Sequence, residues 1–214
     1  MTSEFWQQPF SHQDIDFKEN TVEYAGYYQV RLLKYRHKRF EGGWSDYLTR
    51  EQLVRRDAAS AILWDLKQDK VVLVEQLRVG LIGNEKESTP WMVEILAGLI
   101  DHPETPEMAV RREAKEETGC EIRTLIPIGA FYNSPGGFTE KTYVFCGLIE
   151  LGDLPLVNQP EEDEDLKIHI VDWAKVKQVW QAGWASSSTT LVALQWLDYH
   201  HDAMKQDAMK KPQG

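Results

Sequence analysis

Residues 98–120 read GLIDHPETPEMAVRREAKEETGC, and several of these residues are strong signals of local structure. Thr105 offers a capping hydroxyl and Pro106 suits the first helical position, so a helix is predicted to begin there. Gly119 is the residue type that ends a helix in a left-handed conformation. The apolar run WMVEILAGLI (91–100) predicts a buried strand in front of this helix. The stretch therefore predicts a strand, a loop and a helix in that order.

Three acidic residues share one side of the predicted helix. Glu113, Glu116 and Glu117 are three and four residues apart, so their side chains are neighbours. Like charges at this spacing repel each other, and acids near the carboxyl end of a helix also oppose its dipole. Carboxylate oxygens are what Mg²⁺ prefers, and that ion commonly shares them with substrate phosphates. Taken alone, the pattern also fits a solvated, charge-laced surface helix.

The spacing of the whole stretch resembles the Nudix box. Its seven non-aliphatic positions are matched by Gly98, Glu104, Arg112, Glu113, Glu116, Glu117 and Gly119. Ala114 and Cys120 depart from it, since the family usually has leucine, isoleucine or valine there. The resemblance implies an α+β fold, an α/β/α sandwich with a mixed sheet. It also implies a hydrolase that breaks a diphosphate linked to another moiety, with Mg²⁺ or Mn²⁺ as cofactor.

The resemblance also implies roles for the box residues. Glu113 and Glu117 would be the main metal ligands, Glu116 would lie close to the metal, and the backbone carbonyl of Ala97 would add an oxygen. Glu104 and Arg112 resemble the pair that braces the loop against the helix. Glu116 and Arg112 are also candidates for a direct part in catalysis, although bracing is favoured for Arg112. Gly98, Glu104 and Gly119 are expected to be structural.

A second acidic stretch, NQPEEDED (158–165), precedes the apolar run LKIHIV (166–171). By composition it is a solvated loop between strands. The branch of the family that hydrolyses ADP-ribose carries its general base on a mobile acidic loop at this place in the chain. That resemblance implies that Glu162 is the base and Glu164 an additional metal contact, with the register open by one or two residues.

The same branch is similar to this chain outside the box. The shared features are the leading strands, the EQLR run (75–78), the TPW-x-x-E-x-x-AG approach to the box (89–98), SPGG (134–137) followed by Thr139-Glu140, and ALQWL (193–197). They imply cleavage of ADP-ribose to AMP and ribose 5-phosphate. Arginines could bind the diphosphate or adenosine, Tyr28 could stack on adenine, and a serine and an acid could bind the terminal ribose. The expected substrate contacts are Tyr28, Arg50, Arg56, Arg78, Ser134 and Glu140.

Two other functions stay open at this point. The chain could be a Nudix hydrolase of another nucleoside diphosphate sugar, such as GDP-mannose or ADP-glucose, since only the base and sugar pockets would differ. It could also be a non-catalytic sensor that binds ADP-ribose or an NAD-like ligand. The intact box carboxylates favour an enzyme.

Two domains are predicted. Residues 1–57 form a small antiparallel β unit with a turn at Gly42-Gly43, and residues 58–214 form the hydrolase domain. In the latter, AASAILWDL (58–66) and KVVLVEQLR (70–78) should pair as a hairpin, three more strands should follow the box, and two helices should end the chain. The aromatic leading strands favour dimerisation, and the resemblance implies a homodimer. A monomer with those strands over its own sheet is the alternative.

Charge, cysteine spacing and the amino-terminal residues indicate which partners and which cellular compartment to expect. A net charge of -10 and a pI near 5.1 disfavour nucleic-acid binding. The amino-terminal residues have neither a cationic start nor a long apolar run, so no signal peptide or membrane anchor is expected. Cys120 and Cys146 lack the paired spacing of a disulfide or metal site. A reducing, cytoplasmic location is therefore expected.

Overall fold

The computed structural model describes residues 8–86, 88–152, 165–184 and 187–210. Its chain divides into two compact units. The first comprises residues 1–55 and 134–140, and the second comprises residues 56–133 and 141–214. The domain limits 1–57 and 58–214, and a dimerising role for the leading unit, stay predictions.

The first unit is built on a three-stranded antiparallel sheet. Its strands are β1 (Ile15–Ala25), β2 (Gln29–His37) and β3 (Leu48–Val54), in the order β1-β2-β3. Gly42 and Gly43, between β2 and β3, have φ angles of 91° and 75°. Residues that carry a Cβ atom rarely adopt such positive φ angles, so glycine at these two positions permits the turn. The segment 134–140 joins the unit through a parallel bridge between Leu53 and Phe138.

The second unit contains a seven-stranded mixed sheet, as predicted. Five strands follow the order β10-β5-β4-β9-β8, while β6 pairs with β5 and β7 pairs with β4. The pair β4 and β9 is parallel, and the other pairs are antiparallel. The strands are β4 (Ala58–Asp65), β5 (Lys70–Leu77), β6 (Trp91–Glu94), β7 (Leu96–Leu99), β8 (Thr124–Tyr132), β9 (Lys141–Leu148) and β10 (Lys167–Asp172).

The prediction of one strand over WMVEILAGLI is wrong, because β6 and β7 are separate strands with different partners. Ile95 separates them. Its backbone N–H donates to the Thr190 hydroxyl at 3.1 Å. The chain can therefore leave β5 and continue beside β4 without burying an unpaired N–H.

In the described part of the chain, three helices cover the two faces of this sheet: α1 (Pro106–Thr118), α2 (Trp173–Gln181) and α3 (Ser188–Lys210). Alternation along β4 shows the layers. Leu63 packs in the same buried cluster as residues of α1, whereas Ile62 and Trp64 pack with residues of α2 and α3. This arrangement gives the predicted α/β/α layers. No helix in the described part of the chain is long and apolar enough to cross a membrane.

Candidate active site

The carboxylate helix α1 has the ends that the sequence predicts. The Thr105 hydroxyl accepts a hydrogen bond from the Met108 N–H at 3.3 Å, and Pro106 is the first helical residue. Gly119 ends the helix with a φ of 70°. A stripe of small side chains, Ala109, Val110 and Ala114, is fully buried against the sheet. This stripe fixes the rotation of the helix and hence the direction of its carboxylates.

The Arg112 guanidinium connects the loop, the strand and the acids of the helix. It forks onto Glu104, with Nε 2.8 Å from Oε1 and Nη2 3.1 Å from Oε2. Nη2 also donates to the carbonyl of Leu99 at 3.1 Å. Nη1 donates to Glu113 Oε1 at 2.8 Å and to Glu116 Oε2 at 3.0 Å. One cation therefore offsets much of the repulsion that the sequence indicated.

These ion pairs keep Glu104 and Arg112 charged at neutral pH. The hydrogen bond to Glu104 is the main cause that raises the pKa of Arg112 above its ordinary value. The reverse holds for the acid, since the Arg112 hydrogen bond lowers the pKa of Glu104. The backbone N–H of Asp101 adds to this effect by donating to Glu104 at 3.2 Å. The bracing function expected of this pair agrees with that geometry.

Gly98 lies directly under the Glu113 side chain. It sits on β7 opposite Ala59, next to Ala97, whose ladder partner is Ser60. A Cβ atom at position 98 would overlap the Glu113 carboxylate. Any side chain at position 98 would therefore displace the Glu113 carboxylate, and glycine leaves the space that this carboxylate occupies.

Glu117 is a buried acid, with 7% of its surface exposed. Burying a carboxylate is costly unless a cation compensates it. Glu113, Glu116 and Glu117 offer hard oxygen donors on one helix, which is the chemistry of a divalent cation and not of a soft metal. Among the described residues, no three His, Cys, Asp or Glu side chains are gathered in a metal-holding arrangement. Two of the three carboxylates, those of Glu113 and Glu116, form ion pairs with Arg112.

Two of the predicted substrate arginines belong to the second unit, and each binds an acid. Arg78 Nε donates to Glu94 Oε1 at 2.5 Å, and the Glu94 side chain is 6% exposed. The Arg56 guanidinium binds the exposed carboxylate of Asp101. Both arginines therefore have a fixed anchor within their own unit.

The other four predicted contacts belong to the first unit. The Tyr28 ring packs edge-on against Tyr27 at 5.1 Å, and the Arg55 guanidinium lies 5.5 Å from the centre of Tyr28. Arg55 Nη1 also binds Glu140 Oε2 at 3.1 Å. Arg50 is exposed and donates to the carbonyl of Thr49, and the Ser134 carbonyl accepts from Phe138 N at 2.9 Å.

Comparison with known proteins identifies the family. The NUDIX domain model matches residues 54–195, which include the whole box. The chain belongs to the Nudix family. Hydrolases of this family generally need a divalent metal.

Three comparisons show which Nudix proteins the chain resembles. It is 32% identical over 211 residues to an ADP-ribose pyrophosphatase of Haemophilus influenzae, which covers 95% of this chain and 97% of that protein. It is 33% identical over 154 residues to a GDP-mannose pyrophosphatase of Escherichia coli O1:K1 / APEC, covering 71% and 78% respectively. A crystal structure of an ADP compounds hydrolase shares the fold with a TM-score of 0.65 at 18% identity, covering 89% of this chain and 98% of that one.

The predicted base, Glu162, and the predicted metal ligand Glu164 lie outside the described residues. The described residues on either side of them are well anchored. The Leu151 N–H donates to the buried Asp65 at 2.7 Å, and Lys167 pairs with Glu75 in the ladder between β10 and β5. The chain thus re-enters the sheet at Lys167, opposite Glu75, and Glu75 precedes Arg78 by three residues in the sequence. The roles of Glu162 and Glu164 stay predictions.

Two charged residues of this Nudix chain, Glu94 and Arg55, have no role predicted from the sequence, although Glu94 is the acid of the TPW-x-x-E-x-x-AG pattern. Glu94 holds Arg78, and Arg55 holds Glu140. One signal was available for Glu94, since an acid inside the apolar run WMVEILAGL must either face solvent or meet a cation. No comparable signal marks Arg55, because Arg55 and Arg56 are adjacent and only the fold shows which one binds Glu140.

The two thiols take no part in this site. Cys120 and Cys146 are both free and buried. Burial raises the pKa of Cys120 above its ordinary value and that of Cys146 to about 12. Neither sulfur is a thiolate at neutral pH, so nucleophilic catalysis by cysteine is not supported.

Proposed function

We propose that this Nudix hydrolase cleaves the diphosphate bond of ADP-ribose in a metal-dependent reaction, releasing AMP and ribose 5-phosphate. One observation carries the choice of substrate: the similarity to an ADP-ribose pyrophosphatase extends over 95% of this chain and 97% of that protein. The box indicates hydrolysis but does not distinguish leaving groups. Similarity along both units therefore supports ADP-ribose in a way that the box cannot.

Glu113 and Glu117 would hold the cation, with Glu116 beside it and the carbonyl of Ala97 as a further oxygen. We propose Mg²⁺, because carboxylate and carbonyl oxygens suit it and it binds substrate phosphates well. When bound, the cation would neutralise phosphate oxygens and lower the pKa of a coordinated water. Arg112 keeps Glu113 and Glu116 on the same side through one nitrogen. The placement of the acids would thereby be fixed before substrate arrives.

Water is the proposed nucleophile, and Glu162 is the proposed base that accepts its proton. Glu164 would add a carboxylate oxygen for the cation. Arg78 and Arg56 would bind the diphosphate, since a guanidinium can fork onto phosphate oxygens. For adenosine and the terminal ribose we propose Tyr28, Arg50, Ser134 and Glu140, all from the first unit.

A homodimer is proposed from the surface of the first unit. Phe17, Tyr24 and Tyr27 are 54%, 60% and 73% exposed there. Aromatic side chains are enriched in protein interfaces, so a second copy of the chain would bury this surface. We place the protein in the cytoplasm, where a reducing environment would keep its two buried thiols free.

GDP-mannose is the second candidate substrate. A GDP-mannose pyrophosphatase is 33% identical to this chain, although the similarity covers 71% of the chain. The catalytic helix would work in the same way on either compound. The difference between the two proposals lies in the nucleoside and sugar contacts.

A hydrolysis panel tests the proposal. ADP-ribose, GDP-mannose and ADP-glucose are incubated with the enzyme with and without Mg²⁺, with a Glu113→Gln variant as control for contaminating activity. We expect kcat/KM for ADP-ribose to exceed the other values at least about tenfold, which a few specific polar contacts can produce. Faster cleavage of GDP-mannose would move the assignment to that substrate. Binding of ADP-ribose without cleavage of any compound would identify a sensor.

A further inference from the structure

Glu94 is a buried acid for which the Nudix box provides no role. It is the last residue of β6, and its side chain is 6% exposed. Its ladder partner is Val74 of β5, so the two side chains point to the same face of the sheet. Val74 stands at an even spacing from Val72, which packs in the cluster that contains the α1 residues. Glu94 therefore lies on the face of the sheet that α1 covers.

Arg78 is the basic residue that forms a salt bridge with Glu94. Arg78 Nε donates to Glu94 Oε1 at 2.5 Å, and the arginine side chain is 38% exposed. Among the described residues, no other cation lies within salt-bridge distance of Glu94. The backbone of Arg78 is also fixed, since its N–H donates to the Pro90 carbonyl at 2.9 Å.

The hydrogen bond uses only the Nε edge of the guanidinium. In the described part of the chain, neither Nη1 nor Nη2 of Arg78 has a hydrogen bond to protein. A guanidinium binds a phosphate best with two parallel N–H groups. An arginine that is anchored at Nε and open at both Nη atoms can still offer such a pair to a ligand.

We propose that Glu94 is a positioning residue that orients Arg78 for the substrate diphosphate. Its carboxylate fixes the plane and direction of the guanidinium before substrate binds, so less side-chain entropy is lost on binding. This proposal rests on the proposed function, in which Arg78 contacts the diphosphate. Glu94 itself touches no substrate and acts through Arg78.

The two residues predict coupled kinetics. Glu94→Gln keeps the side-chain volume and an acceptor but removes the charge that holds Arg78. We expect KM for ADP-ribose to rise about tenfold, the scale set by ordering one flexible side chain, while kcat changes less than about twofold. In an Arg78→Ala background, the same Glu94→Gln change should have no further effect on KM, because the group that it positions is absent.

A purely structural role would give a different result. Glu94→Gln would then lower the melting temperature and affect the activity equally with or without Arg78. The matched control is Asp198→Asn, which removes an acid bound to Lys177 at 2.6 Å between α2 and α3, on the other face of the sheet. The control should leave KM unchanged.

The decisive experiment is this double-mutant cycle, with melting temperatures measured for every variant. A KM effect of Glu94→Gln that vanishes in the Arg78→Ala background supports the proposal. An effect that persists there, or an unchanged KM in a folded Glu94→Gln variant, overturns it. If the wild-type enzyme prefers GDP-mannose, the cycle is run on GDP-mannose, because the diphosphate is common to both. Failure of the ADP-ribose assignment is thus separate from failure of the role of Glu94.

Discussion

Arg112 binds Glu104 through two parallel hydrogen bonds, from Nε to Oε1 at 2.8 Å and from Nη2 to Oε2 at 3.1 Å. The pair joins the loop before α1 to the middle of that helix. Because Arg112 also binds Glu113 and Glu116, the pair connects the shape of the loop to the placement of the proposed metal ligands. A change of pH or a mutation that breaks the pair is therefore expected to change both the stability of the loop and the positions of the helix carboxylates.

The first prediction concerns acid stability. Arg112 lowers the pKa of Glu104, so the stability that this acid contributes is present above its unfolded pKa of about 4.3. That contribution is lost as the pH falls through the lower pKa of the folded state. Glu104→Gln should therefore be less stable than wild type at pH 7, and the gap should narrow below about pH 4.3.

Urea unfolding of both proteins between pH 3 and pH 7 measures that gap. The charge control is Glu107→Gln, which removes an acid from the first turn of the same helix and leaves the pair intact. A gap between Glu104→Gln and wild type that stays constant with pH would show that the ion pair does not stabilise the fold.

The second prediction concerns Gly98. Gly98→Ala would place a methyl group where the Glu113 carboxylate lies, so the carboxylate must move. A displacement of about 1 Å at a catalytic centre can reduce activity about 100-fold, and we expect kcat/KM to fall on that order. Gly129→Ala is the control, because a Cβ atom at that exposed strand position meets nothing within 4 Å. Equal activity of both variants would contradict the proposed position of Glu113.

The sequence predicted the first and last residues of the carboxylate helix α1. Thr105, Pro106 and Gly119 act locally, through a cap, a fixed φ and a left-handed turn, so their effect does not depend on the rest of the chain. The hairpin of β4 and β5 was predictable for the same reason, because two apolar runs flank a short polar turn. Local chemistry was enough in both places.

What the sequence could not give are relationships between distant segments. The break at Ile95 depends on Thr190, which lies 95 residues away. Arg78 pairs with Glu94 because β5 and β6 lie side by side, and no local pattern specifies that register. The roles of Glu162 and Glu164 rest on resemblance and lie outside the described residues. The side-chain pairings between distant strands and helices could therefore be identified only from the structure.

The third prediction concerns the buried acid Glu117. Replacement by glutamine removes one charge from a crowded set and also removes a proposed metal ligand. Wild-type protein should gain thermal stability on adding Mg²⁺, by about 2.7 kcal/mol at a concentration 100 times the Kd. The Glu117→Gln variant should lose most of this gain while staying folded in EDTA. Calorimetry with and without Mg²⁺ measures the difference, and an equal gain in both proteins would exclude Glu117 as a ligand.

The fourth prediction concerns the proposed base. Glu162→Gln cannot accept a proton, so turnover should fall by about 100-fold to 10,000-fold, the range typical of general-base removal. Metal binding, measured by the same Mg²⁺-dependent stabilisation, should be largely unchanged. The control is Glu121→Gln, which removes an exposed acid outside the acidic stretch, and its turnover should match that of wild type. Near-normal turnover of Glu162→Gln would reject this residue as the base.

In the proposed reaction a water molecule, activated by a metal ion, cleaves the diphosphate of ADP-ribose. To test this reaction, the enzyme is incubated with ADP-ribose and Mg²⁺ in water enriched in oxygen-18. The masses of the products are then determined by mass spectrometry. We expect AMP and ribose 5-phosphate, one of them carrying a single heavy oxygen on its phosphate, and no products after metal removal. Unchanged ADP-ribose in the presence of Mg²⁺, or products without heavy oxygen, would contradict it.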